Sequence, residues 1–409
     1  MERATRSRRI GSLAAVVVGA VLVAGCQGTA VSALKAPGSG TPQQATPPST
    51  APSGATASSG TSAPLNPSGS SETSGEKAPL NGLLDMGIQT PYQTGQPFPV
   101  TDPSFLDAYA GDFSGIVVNE SWSQLEPSPG VENWAPLDQS LAAVAAWNSA
   151  HPATPLGVKL RIFAGYSAPA WVVSQSGPTV TIQTKGGTKT LGEWWTTPFR
   201  QAWSAFQHAL AERYDPNPVV RAVSASSCSS STGEPFVVSG AISSQRALAA
   251  AGWTPQLQEA CLQGALSDYS GWTHTQITFA INPLATHSGP DVAFMDQIMQ
   301  ACAGSHAAGG PQCVVGNNDL SATAPSGRIG PSYAEIAAVK PTYASGSGVY
   351  FQTGGPAVDC ATMSVATTYH ATSVELWPPN GRYPGFSAVP TSTLKSWNQT
   401  LISGGTVTC

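Results

Sequence analysis

Two glutamates of this 409-residue chain each follow a run of residues typical of a β-strand. Glu234 comes after the run 219–226, within the segment SSTGEPF. Glu375 lies near the end of the segment ATSVEL, which directly precedes Trp377. Most acids between them fall on helical patterns, namely Glu259, Asp291, Asp296 and Glu335. Because carboxyls at strand ends can serve as general acid and as nucleophile, Glu234 and Glu375 are the candidate catalytic residues.

Other side chains with useful chemistry also lie at predicted strand ends. Aromatic residues there offer flat faces for a sugar ring, and polar residues there can bind hydroxyl groups. The predicted substrate-binding set is Trp122, Arg161, Tyr166, Trp171, Asn282, Gln352 and Trp377, with Asn317 as a further polar strand end. Packing inside the fold is the alternative for each tryptophan. A serine hydrolase is disfavoured, because no GxSxG elbow occurs and no histidine lies at a strand end.

The elements that must position these residues alternate between β-rich runs and helical patterns. The predicted strands are 83–89, 115–119, 157–163, 219–226, 276–282, 313–317, 348–352 and 372–376. Between them, Phe199, Trp203, Phe206, Leu210 and Tyr214 form one apolar helical face. Eight strand–helix units predict an α/β fold, a (β/α)8 TIM barrel. An alternating segment over 179–190, turning at Gly186-Gly187, predicts a β-hairpin inserted after strand three.

Two segments carry a family resemblance. Residues 120–138, ESWSQLEPSPGVENWAPLD, resemble the second-strand region of clan A retaining glycoside hydrolases, especially the family 42 and family 35 β-galactosidase-like enzymes. Residues 160–172, LRIFAGYSAPAWV, are similar to the third strand and loop of the same enzymes. The resemblance implies a barrel that cleaves glycosidic bonds and needs no cofactor. Glu126, in the Leu-Glu-Pro, is interpreted as a structural loop carboxylate.

The resemblance also assigns roles to the two glutamates. Glu234 matches the strand-four acid/base of these enzymes, which usually stands in Asn-Glu-Pro, although Gly233 replaces the asparagine that contacts the sugar 2-hydroxyl. The nucleophile of the family lies on strand seven, where this chain has Gln352, whereas Glu375 is on the eighth marked strand. Three alternatives follow. One marked strand lies outside the barrel, for which 313–317 is the first candidate; or the nucleophile has moved; or it is lost. Asp319, which follows 313–317, is the substitute candidate for the nucleophile.

The N-terminus resembles that of an actinobacterial-type lipoprotein. Four arginines precede an uncharged stretch that is too short to span a bilayer permanently and that ends in Val-Ala-Gly-Cys at Cys26. Residues 1–25 are therefore predicted to be a signal peptide, with lipid attached to Cys26 and the protein held at the outer face of the cell membrane. Residues 26–77, rich in Gly, Ser, Thr, Pro and Ala, are predicted to be a disordered tether, and residues 78–409 the barrel.

Charge and cysteine content limit the remaining possibilities. The net charge is −5, and removal of four Arg and one Glu with the signal leaves about −8, which offers nothing basic for nucleic acid. Six further cysteines in an exported chain predict three disulfides. Fifteen pairings are possible, and the simplest joins Cys228 to Cys261, Cys302 to Cys313 and Cys360 to Cys409. No CxxC or HxxxH spacing supports a metal site.

Two functions from different classes fit these observations. The first is a glycoside hydrolase, retaining in mechanism, that acts on an extracellular or cell-envelope oligosaccharide or polysaccharide. The second is a catalytically degenerate TIM-barrel lipoprotein that binds carbohydrate without cleaving it, an alternative supported by Gly233 and Gln352. In both cases the expected partner is carbohydrate, the chain is monomeric, and the lipid anchor is its only attachment to the membrane.

Overall fold

Eight parallel strands close into a barrel in the computed structural model of the chain. In chain order the strands are β1 Gly82–Asp85, β2 Gly115–Ser121, β3 Gly157–Phe163, β4 Val180–Thr184, β5 Gly187–Leu191, β6 Val220–Ser224, β7 Gln276–Ala280, β8 Ala285–Thr286, β9 Gly289–Pro290, β10 Cys313–Leu320, β11 Val349–Thr353 and β12 Ala371–Leu376. The barrel consists of β1, β2, β3, β6, β7, β10, β11 and β12, which pair in that cyclic order. The predicted (β/α)8 barrel is confirmed, and the doubtful strand at 313–317 belongs to it.

The structure describes residues 77–87, 97–184, 187–235, 242–282, 292–305, 312–327, 330–339, 348–380 and 382–409, with residues 75, 237, 285–286 and 289–290 in addition. Cys26 and the predicted signal peptide lie outside these residues, as does almost all of the predicted tether. Within the described part, no helix combines the length and the apolar character that a membrane crossing requires.

Helices connect most of the barrel strands. They are α1 Trp122–Leu125, α2 Ala135–Ala150, α3 Ala170–Gln175, α4 Thr197–Tyr214, α5 Ile242–Ala250, α6 Pro255–Asp268, α7 Val292–Ser305, α8 Gly330–Val339, α9 Cys360–Thr368 and α10 Thr391–Ser403. Helix α4 begins with Pro198 in its first turn and buries the predicted face of Phe199, Trp203, Phe206, Leu210 and Tyr214. This face packs in the large hydrophobic cluster between helices and sheet.

Residues of the barrel strands alternate between two apolar environments. Val118 on β2 and Leu160 on β3 belong to the large cluster beneath the helices. Val117, which directly precedes Val118 on β2, belongs instead to a small separate cluster with Leu84 and Ala222 from other barrel strands. Because successive side chains of a strand point to opposite faces, the small cluster fills the inside of the barrel.

The predicted hairpin after the third barrel strand is present. Strands β4 and β5 pair antiparallel, with Val180 opposite Leu191 and Thr184 opposite Gly187. Val180, Ile182 and Leu191 are buried, while the residues between them are more exposed, so one face of the hairpin packs in the large hydrophobic cluster and the other meets solvent. The Ser244 hydroxyl on α5 accepts a hydrogen bond of 2.8 Å from the Gln183 backbone amide and fixes the outer edge of the hairpin.

Three disulfides are present, and they are the three simplest pairs: Cys228–Cys261, Cys302–Cys313 and Cys360–Cys409. The first joins the loop after β6 to helix α6. The second joins the end of α7 to the start of β10, and the third ties the last residue to the start of α9. Each bond closes one segment of the barrel, as the order of the cysteines along the chain predicted.

Lys77 is anchored at the end of the barrel where strands β6 and β7 begin. Its ammonium group donates hydrogen bonds to the carbonyls of Asn217 at 2.8 Å and Val220 at 2.7 Å, and to the Thr275 hydroxyl at 2.9 Å. These three residues precede or begin the strands β6 and β7. Lys77, placed by composition at the end of the tether, is therefore already part of the folded region.

Candidate active site

Strands β3 and β12 carry charged side chains into the barrel. On β3, Val158, Leu160 and Ile162 pack beneath the helices, so the intervening Lys159 and Arg161 face inward. On β12, Val374 and Leu376 pack beneath the helices, so Glu375 also faces inward. All three charged side chains are almost completely buried, with 0–1% of each residue exposed. The period-two pattern of two barrel strands thus brings two cations and one carboxylate together in the interior.

A fourth charged group, Glu234, completes the cluster from the loop that follows β6. The Arg161 Nε atom lies 2.7 Å from Glu234 Oε1 in an ion pair, and the Arg161 Nη2 atom donates to Glu375 Oε2. Lys159 Nζ donates to the other oxygen, Glu375 Oε1, at 2.5 Å. We call Lys159, Arg161, Glu234 and Glu375 the charged cluster. The two predicted catalytic glutamates therefore contact the same guanidinium group.

The pKa values of the two carboxyls in the charged cluster are shifted in opposite directions. Burial raises the pKa of Glu234, and the opposing effect of Arg161 does not cancel it. Burial acts on Glu375 as well, but Arg161 and Lys159 together hold the pKa of that carboxyl below its usual value. Burial lowers the pKa of Lys159. Glu234 is the group that keeps a proton more readily, and Glu375 is the group that stays ionised.

The loop that carries Glu234 is held at several points. The Thr232 hydroxyl donates to the Glu234 carbonyl at 2.7 Å, and Ser229 Oγ accepts from the Thr232 amide at 3.1 Å. At the start of the loop, Cys228 has a left-handed backbone, φ +60°, which is uncommon outside glycine. The Cys228 carbonyl accepts a 2.7 Å hydrogen bond from the Gln258 amide on α6, next to the disulfide. These contacts fix the shape of the loop and tie its start to helix α6.

Buried polar atoms without a partner surround the charged cluster. Within the described residues, no hydrogen-bond partner is found for Arg161 Nη1, for the side-chain oxygen of Gln352 or for that of Asn119. Asn119 is opposite Arg161 in register, and Gln352 is opposite Glu375. Because an unsatisfied buried donor or acceptor costs free energy, atoms of this kind gathered at one place indicate a site for a polar ligand.

The other polar strand ends predicted from sequence support the Glu234 loop. The Asn282 amide donates to the carbonyl of Pro235, the residue after Glu234, at 3.4 Å. The Asn317 amide donates to Asn282 Oδ1 at 3.2 Å and to the Ile281 carbonyl at 2.9 Å. Both amides hold backbone and each other next to Glu234, and their role in binding hydroxyl groups stays a prediction.

Trp122, one of the predicted sugar-stacking residues, packs among the helices instead. Trp122 is 0% exposed and packs against Trp171 and the aromatic residues of α4. Its indole Nε1 donates to Glu126 Oε2 at 2.8 Å, and the Trp171 indole donates to the Glu126 carbonyl at 3.2 Å. The short helix α1 begins at Trp122 and turns the ring outward from the barrel, so the expectation that Trp122 stacks on a sugar is wrong. Glu126 has the structural role that was assigned to it.

Tyr166 and Trp377 keep positions next to the Glu234 loop and Glu375. Tyr166 lies in a 3-10 turn, Gly165–Ser167, and its amide donates to the Ser230 carbonyl at 3.1 Å, which joins the loop after β3 to the loop that carries Glu234. Lys189 of the hairpin lies 4.9 Å from the Tyr166 ring centre. Trp377 follows β12 and donates from its indole to the Thr353 carbonyl at 2.8 Å. Both rings are half-buried.

Three contributors to the cluster were missed in the sequence. Lys159 stands two residues before Arg161 on β3, and its ammonium lies 4.0 Å from the centre of the Tyr350 ring on β11. The Asn318 amide hydrogen-bonds the Glu234 carboxyl. A signal for Lys159 existed, because a Lys and an Arg on the same face of the strand GVKLRIF require anions inside the barrel. Asn318 and Tyr350 gave no comparable signal.

Asp319, the substitute candidate for the nucleophile, is exposed near the end of β10, and among the described residues the ion pairs of Lys159 and Arg161 are with Glu234 and Glu375 instead. Within the part of the chain that the structure describes, no three His, Cys, Asp or Glu side chains are grouped as a metal site would require. The candidate chemistry is therefore that of Glu234 and Glu375.

Comparisons with known proteins give a limited picture. No family model and no curated protein matches the chain. Among solved structures, it is similar to endo-glycoceramidase II from Rhodococcus sp. in a lactosyl-enzyme intermediate, with TM-score 0.48 and 15% identity over 75% of this chain and 76% of that one. It is also similar to Pseudomonas stutzeri endoglucanase Cel5A, with TM-score 0.42 and 13% identity over 75% of this chain and 91% of that one.

Both of these neighbours are glycoside hydrolases. At 13–15% identity the likeness assigns no activity to this chain. The narrower resemblance to family 42 and family 35 enzymes stays a hypothesis, since neither of these two structures is a β-galactosidase by name.

Proposed function

We propose that the protein is a glycoside hydrolase in which Glu234 is the general acid/base and Glu375 the nucleophile. The observation that carries the proposal is the bridge from one guanidinium to both carboxyls, inside a closed barrel and beside unpartnered polar atoms. A cluster of four buried charges is costly to desolvate and contributes little to stability in general, so a functional reason for its presence is favoured.

The pKa directions suit these two roles. Glu234, whose pKa burial raises, can hold the proton that a leaving glycosidic oxygen needs. Glu375, whose pKa the cations lower, stays ionised and can attack the anomeric carbon. The covalent glycosyl ester is then hydrolysed by a water molecule that Glu234, now ionised, deprotonates.

A retaining outcome is the more consistent of the two stereochemical courses. Two carboxyls on one guanidinium lie close together, which favours the separation of about 5–5.5 Å in retaining enzymes over the roughly 6.5–9.5 Å of inverting ones. Gln352, Asn119 and Arg161 Nη1 supply free acceptors and a donor for the hydroxyl groups of the bound sugar. We propose an extracellular or cell-envelope oligosaccharide or polysaccharide as the substrate.

A panel of nitrophenyl glycosides offered to the purified protein tests this function. We expect release of nitrophenol from at least one member, with the product anomer retained when it is followed by proton NMR. Glu234→Ala should keep most activity on dinitrophenyl glycosides, whose leaving groups need little protonation, and azide should accelerate the turnover of that variant. An inverted product anomer would contradict the nucleophilic role of Glu375.

A second function, carbohydrate binding without cleavage, is favoured by one specific observation. Both oxygens of Glu375 are engaged by Lys159 and Arg161, and the seventh barrel strand carries Gln352 where clan A enzymes have their nucleophile. A protein of this kind would release no product from any glycoside and would still bind on a glycan array, with binding lost in Gln352→Ala. Turnover of a single natural oligosaccharide would exclude it.

A further inference from the structure

Gly233, the residue directly before Glu234, has no room for a side chain. A Cβ atom at this position would lie 2.5 Å from Arg161 Cδ, 2.6 Å from Arg161 Cγ and 3.1 Å from Phe163 Cε2. Its backbone lies outside the left-handed region that favours glycine. Lack of space beside Arg161, and not backbone conformation, is therefore the reason that glycine is needed at position 233.

The part of Arg161 that passes over Gly233 cannot move aside easily. Cγ and Cδ are in the middle of the side chain, which is fixed at one end by strand β3 and at the other by contacts with Glu234 and Glu375. The residue is 0% exposed. Any atom added at position 233 must therefore displace the guanidinium from at least one of its two carboxyl partners.

We propose that Arg161, seated against Gly233, is the positioning residue of this site, whose guanidinium fixes the separation and relative orientation of the Glu234 and Glu375 carboxyls. The proposal rests on the proposed function for its catalytic meaning. Its structural content, one cation shared by two carboxyls and dependent on a glycine, can be measured without turnover.

The pH behaviour of the two carboxyls follows from this arrangement. Arg161 lowers the pKa of both Glu234 and Glu375. If the guanidinium is displaced, both carboxyls lose the positive charge of Arg161 while they continue to repel each other, and only Lys159 remains beside Glu375, so the pKa of both should rise. If Arg161 only filled space, its displacement would leave the pKa values of Glu234 and Glu375 unchanged.

The first experiment compares Gly233→Ala with the matched control Gly355→Ala. Gly355 follows β11, has space around it and does not use the left-handed region. Carbon-13 NMR of glutamate-labelled protein follows the carboxyls, and Glu234→Gln and Glu375→Gln assign their signals. We expect both carboxyls to titrate at higher pH in Gly233→Ala by about one unit or more, and at wild-type values in Gly355→Ala. Unmoved titrations in a folded Gly233→Ala protein would overturn the proposal.

A double-mutant cycle distinguishes an effect that acts through the Arg161–Gly233 contact from a nonspecific structural effect of Gly233→Ala. If glycine is needed at position 233 only because the Arg161 side chain lies against it, Gly233→Ala should change the pKa values of Glu234 and Glu375 little in a protein that already carries Arg161→Ala. Added guanidinium chloride should lower the pKa values of Glu234 and Glu375 again in Arg161→Ala, whereas sodium chloride at equal ionic strength should not. Additive effects of the two substitutions, or equal effects of the two salts, would contradict a shared guanidinium.

Kinetics then connect the arrangement to catalysis. With an active glycoside, we expect Gly233→Ala to lower kcat about 100-fold with little change in KM, because a misplacement of about 1 Å has effects of this size. Both limbs of the pH–rate profile should move to higher pH. A protein that cleaves no glycoside but keeps the titration result would refute the proposed function and retain the positioning role of Arg161. Normal kcat and an unmoved profile in Gly233→Ala would refute the positioning role alone.

Discussion

Among the described residues, Glu375 is the carboxylate that forms an ion pair with Lys159, and it shares Arg161 with Glu234. Its removal would leave two buried cations facing one carboxyl. The loss of one partner from a buried ion pair costs about 3–5 kcal/mol, whereas replacement of both partners by apolar groups can be nearly neutral. The single side chain therefore connects catalysis with the stability of the barrel interior.

We predict that Glu375→Gln abolishes turnover and lowers the melting temperature, and that Lys159→Met in the same chain restores part of the stability but none of the activity. Thermal unfolding and steady-state assays of the single and double variants measure these effects. Activity that persists in Glu375→Gln would move the nucleophile elsewhere, with Asp319 the first residue to examine. A double variant less stable than the single one would contradict the pairing of Lys159 with Glu375.

At the scale of elements, the loop after β6 depends on a covalent tie to helix α6. The Cys228–Cys261 bond begins the segment that ends in Glu234, at a residue with an unfavourable left-handed backbone. The Cys360–Cys409 bond ties the end of the chain to the start of α9 and is remote in sequence from Glu234. The two bonds form a natural pair for comparison.

We expect Cys228→Ser with Cys261→Ser to lose both stability and kcat, because the loop that presents Glu234 is released. Cys360→Ser with Cys409→Ser should lose stability, by roughly 2–4 kcal/mol, with kcat unchanged. Urea denaturation and initial rates on one glycoside provide the two measurements. If both pairs reduce kcat equally, the first disulfide has no special role in the site.

Strand β2 buries a carboxyl that the proposed reaction does not use. Glu120 is 0% exposed, and burial raises its pKa to about 8 against the opposing effect of a hydrogen bond from the Ser121 backbone. In the unfolded chain the group ionises near its ordinary pKa of about 4.3. Between these two values the folded protein binds more protons than the unfolded one, so stability falls as pH rises.

Glu120→Gln should therefore flatten the decline of unfolding free energy between about pH 4.5 and pH 8, with a difference from wild type of at most about 1.4 kcal/mol per pH unit. Urea titrations at a series of pH values give the comparison. Asp85 and Asp268, whose burial also raises the pKa of each, contribute the same sign in both proteins and cancel in the difference. Parallel curves would mean that Glu120 is not protonated in the folded state.

The strands and the hairpin could be predicted because burial imposes a local pattern on each of them. The β-rich run 313–317, which forms the first part of Cys313–Leu320, and the alternation around Val180–Leu191 are readable without any long-range information. The direction of Trp122 was not readable, because a short helix begins at that residue and the α4 face that receives its ring lies far along the chain. The contact of Lys159 with Glu375 joins residues 216 positions apart and depends on the closure of the barrel.

At the scale of the whole molecule, attachment to the membrane is a proposal based on the sequence of the N-terminus. We propose that the chain is exported and held at the outer face of the cell membrane through lipidated Cys26, with the residues up to about 77 as a spacer. Cys26 follows the uncharged stretch directly, whereas the other six cysteines form the three disulfides.

We predict that cells expressing the protein incorporate labelled palmitate into it and that Cys26→Ala abolishes the label. Autoradiography after immunoprecipitation measures the incorporation. Cys26→Ser, which keeps the size of the side chain but lacks the thiol, serves as the matched control and should also be unlabelled. Label that remains in both variants would rule out lipidation at this residue.

The seat of Arg161 on Gly233 also limits how such a chain can change over generations. An asparagine, or any other side chain, cannot enter position 233 while Arg161 keeps its course, since its Cβ would lie 2.5 Å from Arg161 Cδ. If Arg161 is replaced first, Glu234 and Glu375 lose the guanidinium that they share, and Lys159 alone remains beside Glu375. Either substitution alone therefore disrupts the charged cluster. We expect Gly233 and Arg161 to be replaced in evolution only by two simultaneous substitutions, or after one of the two glutamates has been lost.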